Sequence, residues 1–405
     1  MTLMNMNLEE FDAFLPQNGY EENAAILTHY LMMNNGKKKT MKKKVLVNEY
    51  GFEEGKLKQA EKFYNELDFP FQPQDNPNFT FIDLFAGIGG FRLAMQAHGG
   101  KCVFSSEWDK AAKQTYFNNY GEVPFGDITK PEIKAQIPDN FDVLCAGFPC
   151  QPFSNIGLRK GIEDTRGTLF YHIAEILKEK RPKAVFLENV RGLISNDEGR
   201  TLKVILQTIT GMGYVCNISQ ETIENGPIAN LKKDATKLVF NPKDFGIPQN
   251  RPRIYIVLWR ADLNLEKFDY PKPTHEKTRV GQILERGNLE KYTISDKLWE
   301  GFERRKKRNE EKGNGFSYSV FNADSSYTSA LLRRYYKDGH EILISQKEKK
   351  PRKLTPREAA NLQGFPRNFK LPLSTSSAYQ QFGNSVAVPL VDKVAEQIVN
   401  QILSK

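Results

Sequence analysis

The chain has 405 residues, of which 39% are hydrophobic and 26% are charged, a balance typical of globular proteins. Its 58 lysines and arginines exceed its 49 acidic residues, which suits a polyanionic partner such as nucleic acid, although a basic protein without such a partner fits equally well. No apolar run approaches the ~20 residues that cross a bilayer, the first ten residues lack a signal-peptide pattern, and the four cysteines form no CxxC pair. Membrane insertion, export and a CxxC metal or redox site are therefore disfavoured, and reduced thiols in an intracellular protein are expected.

The first 78 residues differ from the rest of the chain. Short amphipathic stretches predict helices near residues 8–14, 21–33 and 56–67. We interpret the lysine-rich run at residues 37–44 as a solvated linker rather than an arm that contacts phosphates. A proline-containing polar stretch then leads into the main domain.

From Phe79 onward, apolar strands alternate with helical patterns, which predicts an α/β fold with a mostly parallel sheet covered on both faces. The expected strands lie near residues 79–85, 101–106, 141–146, 184–188 and 253–259. The alternation fades in a polar, basic and aromatic-rich stretch, and helices resume after Arg352. We therefore expect four segments: a helical extension and linker (1–78), a catalytic and cofactor-binding domain (79–261), a smaller domain (262–351) and a C-terminal segment that completes the catalytic domain (352–405).

The first strand ends in a glycine-rich turn, Asp83-Leu-Phe-Ala-Gly-Ile-Gly-Gly90, that opens a helix. Glycines allow a tight turn and close approach of the backbone to a ligand. Glu107 ends the second strand, where a carboxylate binds ribose hydroxyls, and Trp108 offers a ring to a purine. A dinucleotide dehydrogenase has a similar turn, but position 92 is Arg where its third glycine is expected. The pattern predicts a nucleoside-type ligand without naming it.

Cys150 lies in Gly147-Phe-Pro-Cys-Gln-Pro-Phe-Ser154, directly after a predicted buried strand. Ligands of open parallel sheets bind beyond the carboxyl ends of the strands, so this cysteine is placed at the expected active edge. Glu188 ends another strand, and Arg251 and Arg253 precede a third. Taken one at a time, Glu188 could belong to a surface ion pair and the two arginines could be exposed cations. Their convergence with a cysteine at one edge of the sheet favours a catalytic site.

Taken in chain order, these motifs resemble those of bacterial restriction–modification DNA cytosine-5 methyltransferases. The resemblance covers residues 79–403 and rests on the segments at residues 83–91, 107–108, 126–128, 147–154, 188–190, 249–253, 352–366 and 381–386. It implies a Rossmann-like methyltransferase sheet with a smaller target recognition domain over residues 262–351. It also implies an enzyme of the bacterial cytoplasm, associated with the nucleoid, acting as a monomer on double-stranded DNA and linked functionally to a restriction endonuclease.

The resemblance also implies roles for individual residues. In catalysis the Cys150 thiolate would add to C6 of a cytosine that is flipped out of the helix. Glu188 would hold the base. Arg251 and Arg253 would steady the base and a nearby phosphate and lower the pKa of the Cys150 thiol, and no metal would be needed. S-adenosylmethionine, which becomes S-adenosylhomocysteine, would be bound by Phe85, Gly87, Gly89, Glu107, Trp108, Asp127, Ile128, Pro149, Asn384 and Val386. DNA contacts would come from Gln151, Ser154, Arg159, Arg333 and Arg334.

Sequence preference is expected to come from the target recognition domain. Arg333 and Arg334 are candidates for reading guanine, although either arginine suits a phosphate contact as well. Residues 314–318 and 334–339 resemble methylases acting on CCGG or CCWGG, and the lack of an insertion before Arg352 favours CCGG. Many relatives have threonine before a branched aliphatic residue where this chain has Ala330-Leu331, which weakens the transfer of this preference.

Three alternatives belong to other classes. A tRNA cytosine-5 methyltransferase shares the core, but the Cys-Phe-Thr motif typical of its target region is not found here. A DNA-binding regulator would act through residues 1–78, for which a structural extension is the preferred interpretation. An oxidoreductase has no use for Cys150 together with Glu188 and the two arginines.

Overall fold

The computed structural model describes residues 7–34, 43–149, 168–274, 276–315 and 317–404. The chain forms two compact units. The first, here called the sheet unit, comprises Met1–Val239, Arg253–Tyr270 and Asp392–Lys405, and the second unit comprises Phe240–Pro252 and Pro271–Val391. The extension thus folds with the sheet, and residues 352–391 fold with the stretch before them, while the functional division into four segments stays a prediction.

The main sheet has seven strands, which are β1 Phe79–Leu84, β2 Gly100–Ser106, β3 Val143–Gly147, β4 Ala184–Val190, β5 Tyr214–Val215, β6 Val239–Phe240 and β7 Arg253–Arg260. They lie in the order β2-β1-β3-β4-β7-β5, with β6 paired to β7. Strands β1 to β4 are parallel neighbours, whereas β7 runs antiparallel to β4 and β5. The expected α/β fold is confirmed, and the reversal of β7 brings its first residue opposite the last residue of β4.

Helices surround this sheet, and their ends follow local capping rules. Helix α5 begins after Asp109, whose carboxylate accepts the Ala112 N–H, and ends at Gly121 in the left-handed conformation. A 3₁₀ helix covers Leu8–Phe14. The helices of the sheet unit are α1 Asn23–Asn34, α2 Lys43–Tyr50, α3 Glu54–Asn65, α4 Gly90–Ala97, α5 Lys110–Tyr120, α6 Pro131–Lys134, α7 Leu169–Lys180, α8 Arg200–Thr210, α9 Gln220–Glu224 and α10 Ile228–Ala235.

The N-terminal extension, meaning the described residues from 7 to 78, shares one hydrophobic core with the sheet. Phe11 and Phe69 pack on Phe117 of α5 with ring centroids 5.2 and 5.3 Å apart. Burial of such aromatic side chains contributes about 1.5–3 kcal/mol each. The extension is therefore built into the sheet unit by its own apolar side chains.

The second unit contains a three-stranded sheet in the order β10-β9-β8, formed by β8 Val320–Phe321, β9 Leu343–Gln346 and β10 Lys349–Arg352. Its helices are α11 Asp296–Glu311, α12 Pro356–Leu362, α13 Thr375–Asn384 and the start of α14 Val388–Ile398. The basic run at residues 304–308 lies within α11, which packs through Phe302 on Ile294 and Leu343. Among the residues that the structure describes, no helix is long and apolar enough to span a membrane.

Candidate active site

The glycine-rich turn after β1 is open on one side and closed on the other. Phe85, Gly87 and Gly89 all have positive φ, at 55°, 56° and 81°. A Cβ on Gly87 would meet nothing within 4 Å, whereas one on Gly89 would collide with the Tyr120 ring. The Tyr120 hydroxyl donates to the Gly89 carbonyl at 2.8 Å. Tyr120 thus packs against the turn at Gly89, while the backbone at Gly87 stays accessible to a ligand.

Glu107, at the end of β2, faces this turn. Its two carboxylate oxygens accept the N–H groups of Gly87 and Asp109, both at 2.8 Å. The side chain is largely buried, and burial raises the pKa of the Glu107 carboxyl, opposed by hydrogen bonds from these backbone groups. Since each carboxylate oxygen accepts two hydrogen bonds, capacity remains for the hydroxyls of a ribose.

A flat aromatic surface and a further loop complete this side of the sheet unit. Trp108 is 78% exposed. The backbone N–H of Glu107 donates to the Phe125 carbonyl at 2.8 Å, which ties the loop carrying Asp127 and Ile128 to the end of β2. Asp127 is half-buried and Ile128 is buried. An open glycine backbone, a ribose-accepting carboxylate and an exposed indole together fit a nucleoside.

A second group of residues lies at the ends of β3 and β4. Glu188 is 9% exposed, and its Oε1 lies 3.2 Å from Nε of Arg253 at the start of the antiparallel β7. A Cβ on Gly147 would lie 3.7 Å from the Glu188 carboxylate. The Asn189 side chain donates to the Phe148 carbonyl at 2.9 Å and so holds the chain just before the exposed Pro149. The sheet therefore brings a buried carboxylate, a cation and the start of the predicted cysteine loop together.

The other arginine that is predicted to be catalytic, Arg251, belongs to the second unit. The Arg251 guanidinium is 3% exposed and donates to the carbonyls of Leu331 at 2.5 Å and of Gly383 and Ser385 at 3.0 Å. It thus joins the backbone before a 3₁₀ turn to the end of α13. In this unit Asn384, Arg333 and Arg334 are exposed, and Val386 is buried.

Four predicted site residues, Cys150, Gln151, Ser154 and Arg159, lie outside the described residues. The sheet unit brings together Phe85, Gly87, Gly89, Glu107, Trp108, Asp127 and Ile128 on the nucleoside side, and Pro149, Glu188 and Arg253 at the ends of β3, β4 and β7. The other predicted residues belong to the second unit. Cys102 and Cys145 are buried thiols whose pKa values burial raises, which disfavours the reactive thiolate form.

Sequence reasoning missed two groups that hold this site. The Asn189 side chain donates to the Phe148 carbonyl, a bond that the motif around Glu188 does not indicate. The Glu22 carboxylate accepts the Gly126 N–H at 2.9 Å from 104 positions away. An acidic residue in a short amphipathic helix region carries no signal of such a long-range contact.

The fold and the site define a Rossmann-like methyltransferase, and comparison with known proteins identifies the family. The family model for C-5 cytosine-specific DNA methylase matches residues 79–400. Type II methyltransferase M1.ScrFI of Lactococcus lactis subsp. cremoris is 52% identical over 339 residues, covering 83% of this chain and 82% of that protein. Type II methyltransferase M.HpaII of Haemophilus parainfluenzae is 44% identical over 353 residues, covering 82% and 93%.

Solved structures show the same fold at low identity. The S. pombe Dnmt2 methyltransferase matches with a TM-score of 0.59 and 18% identity, over 80% of this chain and 98% of that one. The chain belongs to the C-5 cytosine-specific DNA methylases. It is a DNA (cytosine-5) methyltransferase of the Type II restriction–modification kind, a class that acts on double-stranded DNA and generally uses S-adenosylmethionine.

Proposed function

We propose that this enzyme methylates C5 of a cytosine within a specific DNA site through a covalent adduct between Cys150 and C6. The observation that carries the proposal is the buried Glu188–Arg253 pair beside Gly147, at the start of the segment that contains Cys150. C5 of cytosine is a poor nucleophile, and addition of a thiolate at C6 makes the ring reactive at C5. A nucleophile and a carboxylate are thus required at one place.

Each protein group has a defined task in this reaction. The Cys150 thiolate forms a bond to C6 while Glu188 holds N3 and the exocyclic amine and offsets the charge that develops on the ring. Arg253 keeps Glu188 oriented through their ion pair. Arg251 is proposed to steady the base and its phosphate. Once C5 has accepted the methyl group, loss of the C5 proton and departure of the Cys150 sulfur as a thiolate restore the aromatic ring.

The residues at the glycine turn are proposed to hold S-adenosylmethionine. When bound, it supplies an electrophilic methyl group on its sulfonium sulfur. Glu107 accepts hydrogen bonds from the ribose. Trp108, Asp127 and Ile128 face the adenine, and the turn of Phe85, Gly87 and Gly89 lies along the ligand. Pro149 lines the same pocket, and Asn384 and Val386 are proposed to close it.

The DNA contacts after Cys150 are proposed from the family resemblance, and those of Arg333 and Arg334 from their charge and exposure. Gln151, Ser154 and Arg159 are assigned to the strand around the flipped base. Arg333 and Arg334 lie exposed on a 3₁₀ turn, where their guanidinium groups suit guanine or phosphate. The proposed target is CCGG, with CCWGG as the alternative. The enzyme would act as a monomer in the bacterial cytoplasm, at the nucleoid, and protect host DNA from a paired endonuclease.

The proposal is tested with a plasmid that contains two kinds of site. One is CCGG, and the other is the set of four sites in which any one base pair separates CC from GG, which includes CCWGG. We expect purified enzyme and S-adenosylmethionine to methylate CCGG, as seen by bisulfite sequencing. Methylation confined to the sites with an inserted pair would refute the CCGG assignment, and absence of methylation from all DNA would refute the function. The variant C150S should bind the cofactor normally and transfer no methyl group, and wild-type turnover by it would refute the adduct.

A further inference from the structure

The loop at residues 121–127, which joins α5 to the adenine-facing residues, takes hydrogen bonds from the N-terminal extension. The Tyr64 hydroxyl donates to the Gly121 carbonyl at 2.9 Å. The Val123 N–H donates to the Thr28 hydroxyl at 2.9 Å, and the Gly126 N–H donates to the Glu22 carboxylate at 2.9 Å. Residues 121–126 of the loop are buried, and an unpaired buried backbone group is costly, so the extension supplies partners that this loop needs.

The contact at Gly126 is close and charged. Glu22 is 5% exposed, and Lys113 lies 3.8 Å from the same carboxylate oxygen that accepts the Gly126 N–H. A Cβ at position 126 would collide with the Glu22 carboxylate. A side chain at position 126 would therefore displace the Glu22 carboxylate from its place beside the Gly126 amide.

Gly126 lies between the groups proposed for the ribose and for the adenine. On one side, Phe125 exchanges backbone hydrogen bonds with β2, through the Ser105 carbonyl at 2.9 Å and the Glu107 N–H at 2.8 Å. On the other side follow Asp127 and Ile128. A shift of Gly126 would therefore move the adenine-facing residues relative to the ribose carboxylate.

We propose that Glu22 is a positioning residue for the cofactor pocket, holding the Gly126 amide so that Asp127 and Ile128 are presented to the adenine. The proposal rests on the proposed S-adenosylmethionine site. The N-terminal extension would then contribute to cofactor binding as well as to the hydrophobic core. A charged acceptor forms a stronger hydrogen bond with an amide N–H than a neutral acceptor does. The bond from the Gly126 N–H to the Glu22 carboxylate therefore fixes the position of the loop backbone just before Asp127.

The test is the dissociation constant of S-adenosylmethionine for the full-length protein, measured by titration calorimetry without DNA. We expect E22A to raise the Kd about tenfold, the loss expected for one hydrogen bond to a charged group. The variant E22Q keeps an acceptor oxygen and should stay within about threefold of wild type. The matched control is E21Q, because Glu21 is 80% exposed and pairs only at the surface with Lys130.

Two further measurements separate positioning from general stability. Deuterium uptake at residues 121–128 should rise in E22A without cofactor, while DNA affinity stays within about twofold of wild type. The variant G126A should weaken cofactor binding in the wild-type background and much less in E22A, since the collision is then removed. If E22A does not fold, G126A and T28V, which loses the Val123 acceptor, carry the same test.

The outcomes are distinct. Wild-type protein that binds no S-adenosylmethionine refutes the proposed function itself. Wild-type binding together with an unchanged Kd in E22A refutes the positioning role. Equal losses of cofactor and DNA affinity in both E22A and E22Q also refute it, because they indicate a purely structural residue.

Discussion

The sheet unit and the second unit hold their predicted site residues and the motif residues beside them by different means. In the sheet unit, Glu107 and Glu188 stand at strand ends, and Arg253 begins the antiparallel strand beside them. In the second unit, Arg251 and Gln249 cross the interior to backbone groups 80 or more positions away. Strand ends are set by the regular pairing of a sheet, whereas such long side-chain bonds depend on segments that only the complete fold brings together.

The second unit also depends on a buried ion pair. Arg352, 5% exposed, donates through both terminal nitrogens to the Glu358 carboxylate, with both distances 2.7 Å. The same carboxylate accepts the N–H groups of Thr355 at 2.9 Å and Glu285 at 2.8 Å. Because all four bonds converge on the Glu358 carboxylate, we expect its loss to loosen several segments at once.

The largest expected effect tests that dependence. The variant E358A should destabilise the second unit by about 3–5 kcal/mol, because it leaves a buried guanidinium without its partner. Urea unfolding combined with amide exchange at residues 343–362 measures the change. The control E290Q removes an exposed pair with Lys349 and should cost less than about 1 kcal/mol. Equal effects in the two variants would show that the buried pair does not organise this unit.

The next effect separates chemistry from stability in the sheet unit. The variant E188Q should lower kcat by about 10²–10³, as expected when a group that acts on the reacting base loses its charge. Its melting temperature should change little, because glutamine keeps an oxygen that accepts from the Arg253 guanidinium and the strand register holds the backbone in place. Steady-state methyl transfer and thermal melting of E188Q are compared with E198Q, whose side chain is 80% exposed. A kcat within a factor of two of wild type would contradict a catalytic role.

A smaller effect is expected at Arg251. Lysine keeps the charge but lacks the planar fork that reaches three carbonyls, so R251K should lose about 1–2 kcal/mol of local stability. Amide exchange at residues 330–336 and 381–386 measures this loss. The control is R279K, because the Arg279 side chain is 72% exposed. Unchanged exchange in R251K would mean that the three carbonyl bonds do not hold these segments.

The smallest effect is a pH dependence within the sheet unit. The hydrogen bond from His98 to Asp392, 3.0 Å long, raises the pKa of the imidazole above 6.5, with Glu396 contributing the same sign. Stabilisation by this pair is therefore complete below about pH 6.5 and is lost as the pH rises through the raised pKa. Because the pair is partly exposed, we expect a change in melting temperature of less than about 2 °C. The variant D392N should remove this dependence, and an unchanged pH profile would exclude the pair as its source.

Much of the sheet unit was predictable from sequence. Apolar runs ending in Glu107 and Glu188 mark buried strands followed by polar residues, and the glycines after Asp83 mark a turn with positive φ. The expected strands are confirmed, within a few residues, by β1 to β4 and β7. The long helix α11 was not predicted, because its basic run and low apolar content conceal the one face that packs through Phe302.

The sequence alone determined the order of the motifs and the residue types available for catalysis, because both are read directly from the chain. It also determined the class of fold, because strands and helices leave local apolar patterns with periods of two and 3.6 residues. Only the tertiary structure decided that β7 runs antiparallel, so that Arg253 meets Glu188, and that Glu22 of the extension reaches Gly126. Contacts between residues far apart in the chain depend on how the elements pack, and packing leaves no periodic trace in the sequence.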